Sequence, residues 1–250
     1  MKTTKTKIPQ PKNDKSNRNN FQTPIYALNL LLPYIPMNVK KIWECAAGQM
    51  RLSDKLFDSG YKVYSSDKYP LRKDCYNEDF LESQSLEKPI GNIDCIITNP
   101  PFSLKFDFIT KALEYDIPFA FLIPFDMCGF LHKKFSQGLQ AIVPERRIDY
   151  LTPNIVERIN IGEGLFAVNK KFRTKYKNLN DIEMCNDANI LKCYEDNKRN
   201  FKDLDDDIPY ELLKKYSSSD FHSFWIVSKF NLKNQFTFVP LSPDDKRNIL

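Results

Sequence analysis

The chain has 250 residues, 42% of them hydrophobic and 13% aromatic, enough to bury a full core as one elaborated domain or as two small ones. No apolar run approaches the ~20 residues of a membrane span, and the Lys- and Asn-rich amino terminus has neither the apolar stretch of a secretory signal nor the apolar face of a transit peptide. Six scattered cysteines without a CxxC pair, and two histidines far apart (His132 and His222), leave no usual zinc set, so a cytoplasmic protein with free thiols and no metal is expected.

The formal net charge is +5, from 37 basic and 32 acidic residues. Residues 1–20 carry Lys2, Lys5, Lys7, Lys12, Lys15 and Arg18 against Asp14 alone, which is also +5, so the remainder is neutral overall. That arm is expected to be a disordered basic tail suited to non-specific contact with phosphates.

Past the arm, Ile25 to Leu32 is apolar enough for a short helix stopped by Pro33 and Pro36. Lys40 to Ala46 reads as a first strand and Gln49 to Ser59 as a helix, with Leu52 and Leu56 on one face and Gly60 beyond its end. Tyr61 to Ser66 alternates as a second strand ending at Asp67, and Ile93 to Thr98 is a β-branched run that stops at two prolines. Leu104, Phe108 and Ala112 recur four apart as a helix, Phe119 to Pro124 is another buried strand, and Met127, Phe130, Leu131, Phe135 and Leu139 mark a further helix. Arg147 to Leu151 reads as a strand, and Phe221 to Phe230 with Phe236 to Pro240 as a closing hairpin.

Strands alternating with helices imply a mainly parallel α/β sheet with helices on both faces, here with an antiparallel edge strand. Residues 154–220 break the rhythm as a polar insertion in a domain spanning 21–250. Within it, Lys170, Lys171, Arg173, Lys175 and Lys177 surround Phe172 and Tyr176 with no acid among them, a pattern suited to nucleic acid.

Asn99-Pro100-Pro101-Phe102 follows the Ile93 run directly. A proline pair fixes a rigid turn. At the carboxyl end of a strand, where open α/β sheets bind ligands, that turn presents an amide, a backbone carbonyl and a ring. An amide oxygen and a carbonyl converge well on an exocyclic amino group, and the ring can stack on the base that carries it. Earlier, Glu44-Cys45-Ala46-Ala47-Gly48-Gln49-Met50 joins strand to helix with small residues but only one glycine, so it is no dinucleotide fingerprint. Asp67 stands 23 residues after Glu44, where α/β nucleoside sites hold ribose hydroxyls. Asp79-Phe80 offers an acceptor for an amino group and a ring beside it. No Gly-x-Ser-x-Gly elbow or phosphate loop is present.

Taken in order, these pieces resemble the amino-group DNA methyltransferases that use S-adenosylmethionine. The resemblance runs from Phe21 to about Phe125, with a weaker echo at Ser223-Phe224-Trp225-Ile226, and is most similar to small, phage-type adenine enzymes. It implies a Rossmann-like class I methyltransferase sheet. Phe21-Gln22-Thr23-Pro24 looks like the element that helps hold the methionine part of the cofactor, with Phe21 and Thr23 as binding residues. Glu44, Ala46 and Gly48 fall in the cofactor loop, Asp67 on the ribose carboxylate, and Asp79 and Phe80 in the adenine site. Asn99, Pro100, Pro101 and Phe102 match the catalytic signature for adenine N6. The implied activity is methylation of adenine in DNA, with Lys170, Lys171, Arg173, Lys175 and Lys177 on the substrate. Alternatives are an RNA adenine methyltransferase, or a non-catalytic nucleic-acid-binding relative. The family usually has glycine where this chain has Met50, so an altered cofactor pocket is expected there.

Overall fold

The computed structural model describes residues 21, 23–126, 128–150, 221–242 and 245–247; the basic arm 1–20 and the 154–220 insertion, with its five cations, lie outside them. The strands are β1 (Lys41–Glu44), β2 (Lys62–Asp67), β3 (Tyr76–Asn77), β4 (Glu87–Lys88), β5 (Gly91–Asn92), β6 (Cys95–Thr98), β7 (Phe119–Pro124), β8 (Gln140–Pro144), β9 (Ser223–Ser228) and β10 (Phe236–Val239). Eight of them form one sheet in the order β10-β8-β9-β7-β6-β1-β2-β3, and β4 pairs with β5 separately. Every ladder in the large sheet is parallel except the two that β9 makes with β7 and β8. This is a Rossmann-like sheet.

The helices are α1 (Ile25–Asn29), α2 (Arg51–Asp58), α3 (Lys105–Glu114) and α4 (Gly129–Ser136). Alternation along the strands sorts the core into two layers. Ile42, Cys95, Ile97, Ala120, Leu122, Trp225 and Val227 face α1 and α2, while Trp43, Ile96, Phe119, Phe121, Ile123, Phe224 and Ile226 face α3 and α4. Both faces are covered, which is why β7 reads as an unbroken apolar run rather than an alternating one. Trp225 is fully buried, and its indole N–H donates to the Ala27 carbonyl at 2.9 Å, tying α1 to the sheet.

Helix ends follow local chemistry. Gly60 (φ +92°) and Gly138 (φ +103°) take the left-handed conformation just beyond α2 and α4. Each closes a Schellman turn, Gly60 and Tyr61 N–H on the Phe57 and Leu56 carbonyls, Gly138 and Leu139 N–H on those of Phe135 and Lys134. Gly138 therefore ends α4 before Leu139, and the chain enters β8 at Gln140.

Two expectations change here. Arg147 to Leu151 is not a strand among the described residues; the strand is Gln140–Pro144, where β-branched Ile142 and Val143 follow the glycine stop. Ile148 and Tyr150 are buried all the same, packed in irregular backbone against the layer beneath α1. The closing hairpin does not form either. β9 inserts between β7 and β8, and β10 pairs in parallel with the far side of β8, so the antiparallel strand lies two places inside the edge.

Candidate active site

The strand order reverses between β1 and β6, since β2 and β3 lie to one side and β7 to the other. In an open parallel sheet that reversal opens a crevice at the carboxyl ends of the strands. Glu44 ends β1, Asp67 ends β2, and Asn99 follows the last residue of β6, so the three sit along that one edge. A cavity of about 410 Å³ lies at the opposite edge, among Asp116, Gln140 and Lys229, away from these residues.

On the β1–β2 side the polar groups are paired. The Gly48 N–H donates to Asp67 Oδ2 at 2.9 Å and the Tyr69 N–H to Oδ1 at 2.8 Å, so one carboxylate organises both loops. Asp67 remains partly exposed, with lone pairs left on both oxygens. Glu44 is buried beneath it. Ser53 on α2 donates to Glu44 Oε2, and Ser65 on β2 donates to Ser53 Oγ at 2.6 Å. Burial pushes the Glu44 carboxyl up to about 8; the Ser53 hydrogen bonds oppose this, and Asp54 and Asp67 nearby add to it. No ion pair reaches Glu44 among the described residues.

Asp79 follows β3. Lys68 Nζ lies 2.8 Å from its Oδ2, and the Leu81 N–H donates to its Oδ1 at 3.0 Å; the lysine holds this carboxyl below its usual range. Phe80 is placed differently from the ring expected beside an adenine. It is 1% exposed and packs in the core between Trp43 (5.2 Å) and Phe108 (4.9 Å). Ala46 is half-buried and Thr23 buried.

Met50 adopts φ +62°, the left-handed conformation that favours glycine. The backbone of the loop therefore keeps a glycine-like course, and the buried side chain packs against Ala47 and Cys75, apart from the two main core layers.

The β6 side is built differently. Asn99 Nδ2 donates to the Phe21 carbonyl at 3.3 Å. A carbonyl only accepts, so the amide nitrogen must face it and the oxygen turns the other way. Asn99 Oδ1 is buried without a partner. Pro100 is buried and Pro101 half-buried, and Phe102 opens a short 3₁₀ turn (Phe102–Leu104). The Phe102 ring meets Tyr150 at 5.6 Å and 78°, Phe221 at 5.5 Å and 88°, and Phe21 at 6.2 Å. Tyr150 also stacks on Phe21 at 5.7 Å.

The structure thus brings Phe21 to Asn99 and Phe102, and Glu44 and Gly48 to Asp67. Tyr150 and Phe221, neither of them a candidate from the sequence, join the site together with Ser223, the first residue of the weaker echo. The only available signal was an aromatic residue at either flank of the polar insertion.

No family model matches the sequence, and no curated protein matches it. Among solved structures, one from Anabaena variabilis, described provisionally as a methyltransferase of an antibiotic biosynthesis pathway, superposes with a TM-score of 0.41 at 10% identity, covering 86% of this chain and all of that one. A likeness that distant says nothing about chemistry. Among the described residues, no helix is long and apolar enough to cross a membrane.

Proposed function

We propose that this protein transfers a methyl group from S-adenosylmethionine to the N6 amino group of adenine in DNA. The observation that carries the reading is the buried, unpartnered Oδ1 of Asn99, held at the carboxyl end of β6 beside the Phe102 ring. Buried acceptors nearly always have a donor. An exocyclic amino group supplies one, and a ring beside it suits a planar base.

The residues present fit the cofactor. The Asp67 carboxylate keeps free lone pairs for ribose hydroxyls, and Asp79 borders the same edge. Met50 keeps the left-handed backbone course of a glycine position, so the loop retains its shape there. When bound, S-adenosylmethionine would supply an electrophilic methyl group.

The remaining chemistry falls to the chain. The target base would be flipped out of the duplex, costing a few kcal/mol. Phe102 is 7% exposed among Phe21, Tyr150 and Phe221, so stacking on it, returning ~1–3 kcal/mol, would require those rings to part. Asn99 Oδ1 and the Pro100 carbonyl would accept the two amino hydrogens and draw the nitrogen from planar towards tetrahedral. That frees its lone pair to take the methyl group as the donor's S–CH3 bond breaks, with S-adenosylhomocysteine leaving and the nitrogen's surplus proton passing to water. These bonds strengthen as the nitrogen gains positive charge, so they favour the transition state over the bound substrate. Pro101 keeps the turn rigid. The basic arm and Lys170, Lys171, Arg173, Lys175 and Lys177 would hold the phosphates.

The test is transfer of radiolabelled methyl to unmethylated DNA, with RNA in parallel and Asn99→Ala as the control. Label on DNA adenine that disappears in the variant is expected. Label on RNA alone would change the substrate class, and label on neither would end the reading.

A further inference from the structure

Resting on that reading, we propose that the hydroxyls of Tyr150 and Ser223 form a second recognition edge for the target base, donating to a ring nitrogen that flanks its amino group. Among the described residues, the buried side-chain polar atoms without a partner are Arg51 Nε, Thr98 Oγ1, Asn99 Oδ1, Tyr150 Oη and Ser223 Oγ. Thr98 follows Ile97 by one residue and so points to the α3–α4 face. Ser223 precedes Phe224 by one and points to the opposite face, the one that holds Tyr150 and Phe102. Asn99, Tyr150 and Ser223 therefore share one face at one edge of the sheet.

Tyr150 and Ser223 are each 1% exposed. The Tyr150 phenol is pushed up by burial, and the nearby Ser223 hydroxyl opposes that rise, yet the two do not meet in hydrogen-bond geometry. Packing alone would be served better by phenylalanine and alanine, because a buried hydroxyl without a partner is destabilising. The Tyr150 ring stands among those of Phe21, Phe102 and Phe221.

Adenine matches this arrangement. Its N6 amino group donates towards Asn99, and ring nitrogens N1 and N7 on either side of it only accept. A hydroxyl donor waiting in an apolar box pairs with one of them when the base enters. A site built to hydrogen-bond a ring atom then discriminates against an analogue lacking that atom, because its own buried group would be left unpaired. Tyr150 and Ser223 are thus specificity residues, while Asn99 remains the catalytic one.

The experiment compares initial rates of methyl transfer to random-sequence DNA duplexes synthesised with adenine, 1-deazaadenine or 7-deazaadenine. In the wild type, one of the two analogues is expected to react about tenfold more slowly than adenine, the loss of one hydrogen bond. Tyr150→Phe keeps the ring and removes the hydroxyl. It should slow adenine to the rate of that analogue, treat the two alike within about twofold, and leave cofactor affinity unchanged. Ser223→Ala provides the same comparison without touching the aromatic box. Equal wild-type rates on all three bases would overturn the proposal, as would undiminished discrimination in both variants. Absence of wild-type transfer to ordinary adenine would instead overturn the methyltransferase reading beneath it.

Discussion

The two halves of the carboxyl edge handle their polar groups in opposite ways. Around β1 and β2, carboxylates are engaged before any ligand arrives: Asp67 by two backbone N–H groups, Asp79 by Lys68 and the Leu81 N–H, Glu44 by a serine relay. Around β6 and β9, Asn99 Oδ1, Tyr150 Oη and Ser223 Oγ are buried without a completed hydrogen bond. On the proposed reading, the first half would present the same lone pairs at every turnover, and the second would have its hydrogen bonds completed by the substrate, releasing binding energy only when the correct group is present.

Asn99→Ala should divide the halves most sharply. Turnover is expected to fall by about 10²–10³-fold or more, the scale for one group that stabilises developing charge, while cofactor Kd stays unchanged. A matched rise in Kd would mean the halves are not separable. Asp67→Ala is the converse: losing hydrogen bonds to a charged acceptor costs ~1.5–3 kcal/mol, or about 10- to 100-fold in cofactor Kd. Calorimetric titration of both variants checks the pair.

Glu44 gives a third contrast, read in the free protein. Its carboxyl is raised from 4.5 to about 8 in the fold, so the neutral form is the one the folded state favours. Its contribution to stability is fully present below about pH 4.5 and is lost as pH rises through about 8. Glu44→Gln stays neutral, so its urea midpoint should hold between pH 6 and pH 9 where that of the wild type declines. Parallel declines would show that Glu44 ionises without penalty. The smallest effect is expected from deleting residues 1–20. It should flatten the dependence of log K on log salt by up to ~0.9 for each phosphate contact removed, and leave the rate at saturating DNA unchanged. An identical slope would make the arm a spectator.

What could be read in advance depended on range. Asn99-Pro100-Pro101-Phe102 combines a β-branched run with two prolines in adjacent positions, and Asp67 closes its own strand, so both carry their signal locally. β8 lies earlier than the sequence pattern suggests because Gly138, inside the Met127–Leu139 apolar pattern, ends α4 and moves the next strand forward. Tyr150 and Phe221 carried no more local signal than an aromatic residue at each flank of the insertion, and Ser223 only its place in the weaker echo. Tyr150 meets Phe21 across more than half the chain, and Phe221 meets Phe102 from beyond the insertion. Met50 was legible as an exception to a glycine position, but where its side chain goes was not.

By itself, the sequence determined the main alternation of β1, α2, β2, β6, α3, β7 and α4, the burial of the central strands and the turn that carries Asn99. Apolar period, proline and glycine act over a few residues and need no distant partner. Only the tertiary structure decided that β9 lies between β7 and β8, that Phe80 belongs to the core, and that three hydroxyl and amide oxygens gather on one face unpaired. Those outcomes rest on which strands lie side by side and which groups lose water together, and no short stretch of chain contains that information.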